Sequence, residues 1–388
     1  MTQYRKASVA IVQASLPHYR VPVFEAMREL LETADVELRL IHGTTRGLGG
    51  SHWDQAVIPW AEVVPTRTFS LGSMRADWRG VLRMTQGSDL VIVEQALQRL
   101  ENYVLLARQA VGGPRVAFWG HGRNFQSRSS NSLREHLKAR LSQLPAWWFT
   151  YNSRSTDVVL GLGFPEDRIT TVNNAIATGE LIELRSSITP LSVASLYEHL
   201  GIGGEDVCVF AGGLYPEKRL EFLVRAADLI RSHRPRFELI VMGDGVCRPN
   251  LDDLARSRPW LHAVGPQFGA EKVGLFAGAR LLLMPGLVGL VVLDAFALET
   301  PIVTTSVQYH SPEIAYLEPD VNGIMLPAET SAEGYAAAVM RLLDDSARLE
   351  RLREGCRVAA RRYSVEDMAR RFTDGILQAV RRLPTTEH

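Results

Sequence analysis

The chain is 388 residues long, 46% hydrophobic and 22% charged, and its 43 Lys plus Arg balance its 43 Asp plus Glu. That length suffices for two domains with separate cores, and the composition excludes a disordered or low-complexity chain. A net charge of zero gives no long-range pull on polyanions, so nucleic acid is not an expected partner and any anion must be met locally. The three cysteines, Cys208, Cys247 and Cys356, are odd in number and widely spaced, which reads as reduced thiols in a cytoplasmic protein. The N-terminus leads into a strand pattern without signal-peptide features. The longest apolar run, Leu281 to Leu293, is broken by Pro285 and Gly286 and is too short to span a bilayer.

In chain order, Ser8 to Ala14 reads as a strand, Leu16 to Pro22 as a loop, and Val23, Phe24, Met27 and Leu30 as one side of a helix. His18 and Arg20 therefore fall at the carboxyl end of the first strand, where doubly wound domains meet their ligands. They are candidate substrate contacts or parts of a locally bonded loop. The loop lacks the spaced glycines of a dinucleotide fingerprint, which argues against an oxidoreductase. Further strands are expected at Val36 to Ile41, Val63 to Phe69, Leu90 to Glu94, Val116 to Trp119 and Trp147 to Tyr151, separated by helices. Gly120-His121-Gly122-Arg123-Asn124 follows one of them. The glycines let the His121 imidazole approach a ligand, which suits sugar binding; a simple turn histidine is the alternative. Asn131 to Leu144 is a basic amphipathic pattern, favoured as a surface helix over one lying on a membrane. Thr178 to Asp206 reads as linker and lead-in helix.

The second half opens with a strand at Val207 to Gly212, a turn at Gly213 to Pro216 and a helix from Glu217 to Arg231. Lys218 and Arg219 then lie in the first helical turn, where cations oppose the dipole and call for an anion in front of them. For Arg219 a solvated side chain is the favoured alternative. Strands follow at Phe237 to Gly243 and Leu261 to Val264, and the loop Gly265 to Phe268 is placed to hold a nucleotide base. Met284 to Thr305 organises the rest: a strand end, Pro285-Gly286, an apolar helix opening at Gly289, and a strand from Ile302. Amides near Gly289 and Leu290 suit phosphate oxygens, and Asp294, one turn further on, suits a ribose. An ordinary buried βαβ unit is the plain alternative. His310-Ser-Pro-Glu313 is a polar loop, Ile324 to Leu326 another strand, and Ser364 starts a last helix that runs to about Arg381.

In this order the motifs resemble the nucleotide-sugar glycosyltransferases of the GT-B fold, specifically the large retaining family 4 (glycosyl transferases group 1). The resemblance covers nearly the whole chain and is strongest from Val207 to Leu326. VFAGGLYPEKRLEFLVRA resembles the family's strand, turn and lysine helix, LIVMGDG its next strand and loop, and GLVVLDAFALETPIVTT its nucleotide-binding helix; HSPEIAYLEPDVNGIML and YSVEDMARRF also fit. The resemblance implies an α/β protein of two Rossmann-like, doubly wound domains facing across a cleft. Residues 1–180 would bind the acceptor, 181–205 link, 206–364 bind the nucleotide sugar, and 365–388 form a C-terminal helix that crosses back.

The implied activity is transfer of a sugar, with retention, from a nucleoside diphosphate sugar to a hydroxyl of a small-molecule, saccharide or lipid-linked acceptor. UDP-linked hexose or N-acetylhexosamine is favoured on family frequency. No cofactor beyond the donor is implied, and no metal, since no Asp-any-Asp motif occurs. Gly213, Lys218, Arg219, Gly286, Gly289, Leu290, Val291, Asp294, His310 and Glu313 are the implied donor contacts. His18, Arg20, His121, Arg123 and Asn124 are the implied acceptor contacts, with His121 and Lys218 catalytic. Two departures stand out. The earlier of the family's two glutamates falls on Gly286, the later one corresponding to Asp294, and the arginine that often precedes the lysine is replaced by Gly213. A GT-B epimerase or phosphorylase, and a sugar-nucleotide-binding protein of weak catalysis, are the rival readings. The oligomeric state is not legible, and peripheral membrane contact is not favoured.

Overall fold

The structure, a computed structural model, describes residues 6–44, 56–71, 74–122 and 139–382. It divides into two compact units, Met1–Ala177 with Val365–His388, and Thr178–Ser364. Among the described residues no helix is long and apolar enough to cross a membrane.

The first unit is built on a parallel sheet of order β3-β2-β1-β6-β7-β8-β9. Its strands are β1 (Ala7–Gln13), β2 (Val36–Gly43), β3 (Glu62–Val64), β6 (Leu90–Glu94), β7 (Arg115–Gly120), β8 (Trp147–Thr150) and β9 (Ile169–Thr171). Because side chains alternate along a strand, adjacent residues serve opposite faces. Ile11, Trp119 and Phe149 join one core with helix α1 (Val21–Thr33). Val12, Phe118 and Trp148 join another with helix α2 (Leu100–Ala110). The C-terminal helix Val365–Arg382 belongs to the first core. Its Phe372 stacks on Phe149 at 4.4 Å and meets Trp119 edge-on at 5.0 Å.

The strand expected at Val63 to Phe69 is two. Pro65 has no N–H to give a ladder, so β3 ends before it, and Thr66–Leu71 (β4) turns back against Met74–Arg79 (β5) as an antiparallel pair. This hairpin carries buried ions that no sequence pattern marks: Arg79 pairs with Glu101 and Arg99 with Asp77.

The second unit repeats the doubly wound plan with order β12-β11-β10-β13-β14-β15. The strands are β10 (Asp206–Ala211), β11 (Phe237–Met242), β12 (Leu261–Gly265), β13 (Leu281–Met284), β14 (Ile302–Thr305) and β15 (Gly323–Leu326), all parallel. The stretch Thr178 to Asp206, expected as linker and lead-in helix, carries two helices, Gly179–Ser187 and Pro190–His199. Pro190 supplies a preset first helical residue, and Thr189 and Ser192 form a reciprocal capping box. The turn thus belongs to a helix start.

Removing the ring between Phe149 and Trp119 tests the role of the C-terminal helix. Phe372→Ala is expected to cost about 3–5 kcal/mol of first-unit stability, read as a lower urea midpoint by tryptophan fluorescence.

Candidate functional site

In the second unit the chain runs from β10 outward to β12, then returns to lay β13 on the other side of β10. At such a switch point the connections diverge, and the space between them at the carboxyl ends of the strands receives the ligand. The loops at that place are residues 212–219, after β10, and 285–290, after β13. Gly212 and Gly243 both have left-handed φ, 138° and 142°. A Cβ on Gly243 would lie 1.9 Å from the Gly212 carbonyl oxygen, so only glycine lets the chain leaving β11 pass against the chain leaving β10.

The helix expected from Glu217 begins later. Pro216–Lys218 is a single 3-10 turn, Arg219 takes a left-handed φ of 57°, and the helix runs Leu220–His233. A left-handed arginine is uncommon and costs backbone energy. Here it turns Lys218 inward and sends Arg219 elsewhere. The Arg219 guanidinium lies 4.2 Å over the Phe222 ring and donates to the Pro285 carbonyl and the Thr305 hydroxyl, both at 3.3 Å. It ties the ends of β13 and β14 together. Lys218 is only 4% exposed, with its ammonium 2.7 Å from the Leu287 carbonyl oxygen and 5.3 Å over the Tyr215 ring. Among the described residues no carboxylate forms an ion pair with Lys218. Burial pushes its ammonium down to about 8.

Gly286 explains itself sterically. A Cβ there would stand 2.2 Å from the Glu217 carbonyl oxygen and 2.7 Å from that of Lys218. The Leu287 N–H donates to the same Glu217 oxygen at 2.9 Å. The two loops touch main chain to main chain, and the space a glutamate would need is filled by the lysine's own backbone. At Gly213 a side chain would meet the Tyr215 ring at 2.6 Å, so that ring occupies the place of an arginine.

The helix expected to open at Gly289 has its regular turn at Val291–Ala297, with Leu290 as N-cap and no side-chain cap. No described acceptor meets the N–H of Gly289 or Leu290. Asp294 is ion-paired at 2.8 Å with Lys272, on the helix Gly269–Gly278. Burial raises the Asp294 carboxyl, and the Lys272 ammonium pulls it the other way. Lys272 was missed in the sequence, where it reads as one charge on a surface helix. His310 is 3% exposed and Glu313 6%. Neither stands open at the surface: the His310 Nδ1 accepts from the Val288 N–H at 3.0 Å, and its Nε2 donates to the Thr305 carbonyl at 2.6 Å.

In the first unit, His121 stacks on Tyr151 at 4.1 Å. The Ser155 hydroxyl gives its proton to Asn152 Oδ1 at 3.0 Å, so the His121 Nδ1, 3.1 Å from the same hydroxyl, carries a proton and donates. The flanking glycines have different jobs: Gly120 leaves room for Gln95, and Gly122 has a φ of 75°. Arg20 bonds Gln13, donates to the Tyr151 hydroxyl at 2.7 Å and lies 4.6 Å over Trp119. Burial pushes the Tyr151 phenol up to about 12. Arg20 and His121 therefore share Tyr151, whereas His18 is exposed. Arg123 and Asn124 lie outside the described residues, as does most of the helix expected at Asn131 to Leu144.

A family model described as Glycosyl transferases group 1 matches residues 205–345. The alpha-D-kanosaminyltransferase of Streptomyces kanamyceticus is 26% identical over 193 residues, 47% of this chain and 48% of that protein. The D-inositol 3-phosphate glycosyltransferase of Thermobispora bispora is 27% identical over 238 residues, 57% and 53% of the two chains. The chain spans about half the length of the curated relatives it matches. Anabaena HepE in complex with UDP superposes with a TM-score of 0.68 at 14% identity, covering 95% of this chain and 99% of that one. HepE in complex with UDP-glucose gives 0.65 at 13% identity, with 95% and 99% covered. A glycosyltransferase from Rickettsia africae gives 0.70 at 12% identity, with 98% and 100% covered. At such identities the likeness shows the fold.

The contact at Gly286 carries its own test. Gly286→Ala is expected to force the two loops apart and cost about 1–3 kcal/mol of second-unit stability, seen as a lower thermal midpoint, whereas Gly213→Ala displaces only one ring. With two doubly wound units and this loop architecture, the chain has the GT-B fold, and its residues 205–345 match the model of the glycosyl transferases group 1 family.

Proposed function

We propose that the chain transfers a hexose-type sugar, with retention and without a metal ion or added cofactor, from a nucleoside diphosphate sugar to an acceptor hydroxyl. The observation that carries this is the Lys218 ammonium, buried at the switch point with a carbonyl but no described carboxylate against it. Burial disfavours an ammonium facing only dipoles, and an arriving diphosphate supplies the missing charge. As the glycosidic bond to the donor breaks, the leaving diphosphate gains charge. An ammonium held in a dry site then stabilises the transition state more than the ground state.

The amides of Gly289 and Leu290, which meet no described acceptor, add donors, and Asp294, ion-paired with Lys272, accepts from a ribose. HepE, of the same fold, is a UDP and UDP-glucose binder by its complexes, which supports uridine as the base. His121, its ring fixed by Ser155 and Tyr151, meets the acceptor hydroxyl. A small polyol or saccharide acceptor is favoured, in keeping with a relative named for inositol phosphate. Three unpaired cysteines support a cytoplasmic location.

A second reading rests on Gly286: with no carboxylate at that position, the chain binds sugar nucleotides and turns them over weakly. Release of nucleoside diphosphate with and without a panel of hydroxyl acceptors separates the two. Acceptor-dependent release supports transfer, and binding without release supports the second.

By calorimetry, Lys218→Met is expected to weaken nucleoside diphosphate binding at least about tenfold, the effect of losing one charge-assisted hydrogen bond. Because the free ammonium loses its proton near pH 8, wild-type affinity falls as pH rises through that region, and the variant's profile is flatter. Equal affinity in both proteins places the diphosphate elsewhere.

A further inference from the structure

One peptide unit lies between two of the residues described above. The carbonyl of Leu287 and the N–H of Val288 are the two ends of the same planar group, and among the described residues no peptide bond is cis. In a trans peptide these two ends point in opposite directions. The carbonyl end accepts from Lys218 Nζ at 2.7 Å, and the N–H end donates to His310 Nδ1 at 3.0 Å. The chemistry fixes the imidazole: an N–H can only donate, so Nδ1 bears the lone pair, and the Thr305 carbonyl can only accept, so Nε2 bears the proton. The Val288 carbonyl is held as well, by the Ser311 N–H at 3.0 Å.

We propose that His310 is a positioning residue for Lys218, acting through the Leu287–Val288 peptide. The imidazole keeps that peptide from rotating and so keeps its carbonyl on the lysine. Each hydrogen bond along the row Lys218, peptide, His310, Thr305 polarises the next. His310 thus belongs to the support of the diphosphate site and not to the set of groups that touch the sugar. The charged neighbour Arg219 is occupied on Pro285 and Thr305. This inference rests on the reading of Lys218 as the counter-ion of the donor, and the test separates the two.

The chain has four lysines, Lys6, Lys138, Lys218 and Lys272, so lysine-selective isotope labelling gives few side-chain signals, and Lys218→Met assigns the one of interest. The ammonium titration is followed in the free protein for wild type, His310→Phe and His310→Gln. The phenylalanine keeps a ring without an acceptor, and the glutamine amide can both accept from Val288 and donate to Thr305. His310→Phe is expected to move the Lys218 titration to lower pH, since the ammonium loses its carbonyl, and His310→Gln to restore most of it. UDP affinity is expected to fall about tenfold in His310→Phe and to recover in His310→Gln. Should the phenylalanine variant not fold, His310→Met removes the same bond with a flexible side chain. A Lys218 titration that is unmoved or moves upward in the folded variant overturns the proposal. A moved titration in a protein that binds no nucleoside diphosphate upholds the coupling and removes the reading of the site.

Discussion

The second unit depends on a contact between two stretches of main chain. The loop that carries Lys218 lies so close to Gly286 that the Glu217 carbonyl would stand 2.2 Å from any Cβ added there. From that approach follow the reciprocal bonds between the loops: Leu287 N–H to Glu217, and the Lys218 ammonium back to Leu287. The left-handed Arg219 is the strain that makes it reachable. A non-glycine residue in that conformation costs energy, offset here by the arginine's bonds to Pro285 and Thr305 and its place over Phe222. The result is a buried cation held on a main-chain carbonyl.

Much of this was legible in the sequence. The strand at Val207, the glycine-rich turn after it and the proline-glycine break before the apolar helix fall where their residue types predict, whereas Lys218 sits in a 3-10 turn ahead of its expected helix. What could not be read was the third dimension of two residues. Gly286 looks like a missing carboxylate in the sequence. In the structure it is a required absence, and the reason lies in a backbone about seventy positions earlier in the chain, which local pattern cannot reveal. His310 looks like a polar loop residue open to a ligand, because a histidine in a Ser-Pro loop carries no mark of burial. Only the fold brings Val288 and Thr305 to its two nitrogens.

The first unit teaches a similar point about charge. Arg79, Glu101, Arg99 and Asp77 are spread over the sequence and would each pass as surface residues, yet they are buried as pairs beneath the hairpin. The miss followed from Pro65, whose lack of an N–H splits one expected strand into a sheet edge and a hairpin. Apolar runs separated by helical patterns placed the parallel sheet itself. Period two in Ala117 to Trp119 and Trp147 to Phe149 assigns neighbours to opposite cores, the pattern of a sheet covered on both sides.

The division of the chain into units bears on how it is made. The second unit is one continuous stretch, whereas the first takes a helix from the chain that follows the second. During synthesis from the amino terminus, Trp119 and Phe149 leave the ribosome long before Phe372, the ring that covers them. The second unit therefore has its whole sequence in hand first and can fold while the earlier sheet still has an apolar face open to water. A ribosome that stalls short of residue 372 would leave an intact second unit tethered to an aggregation-prone partner.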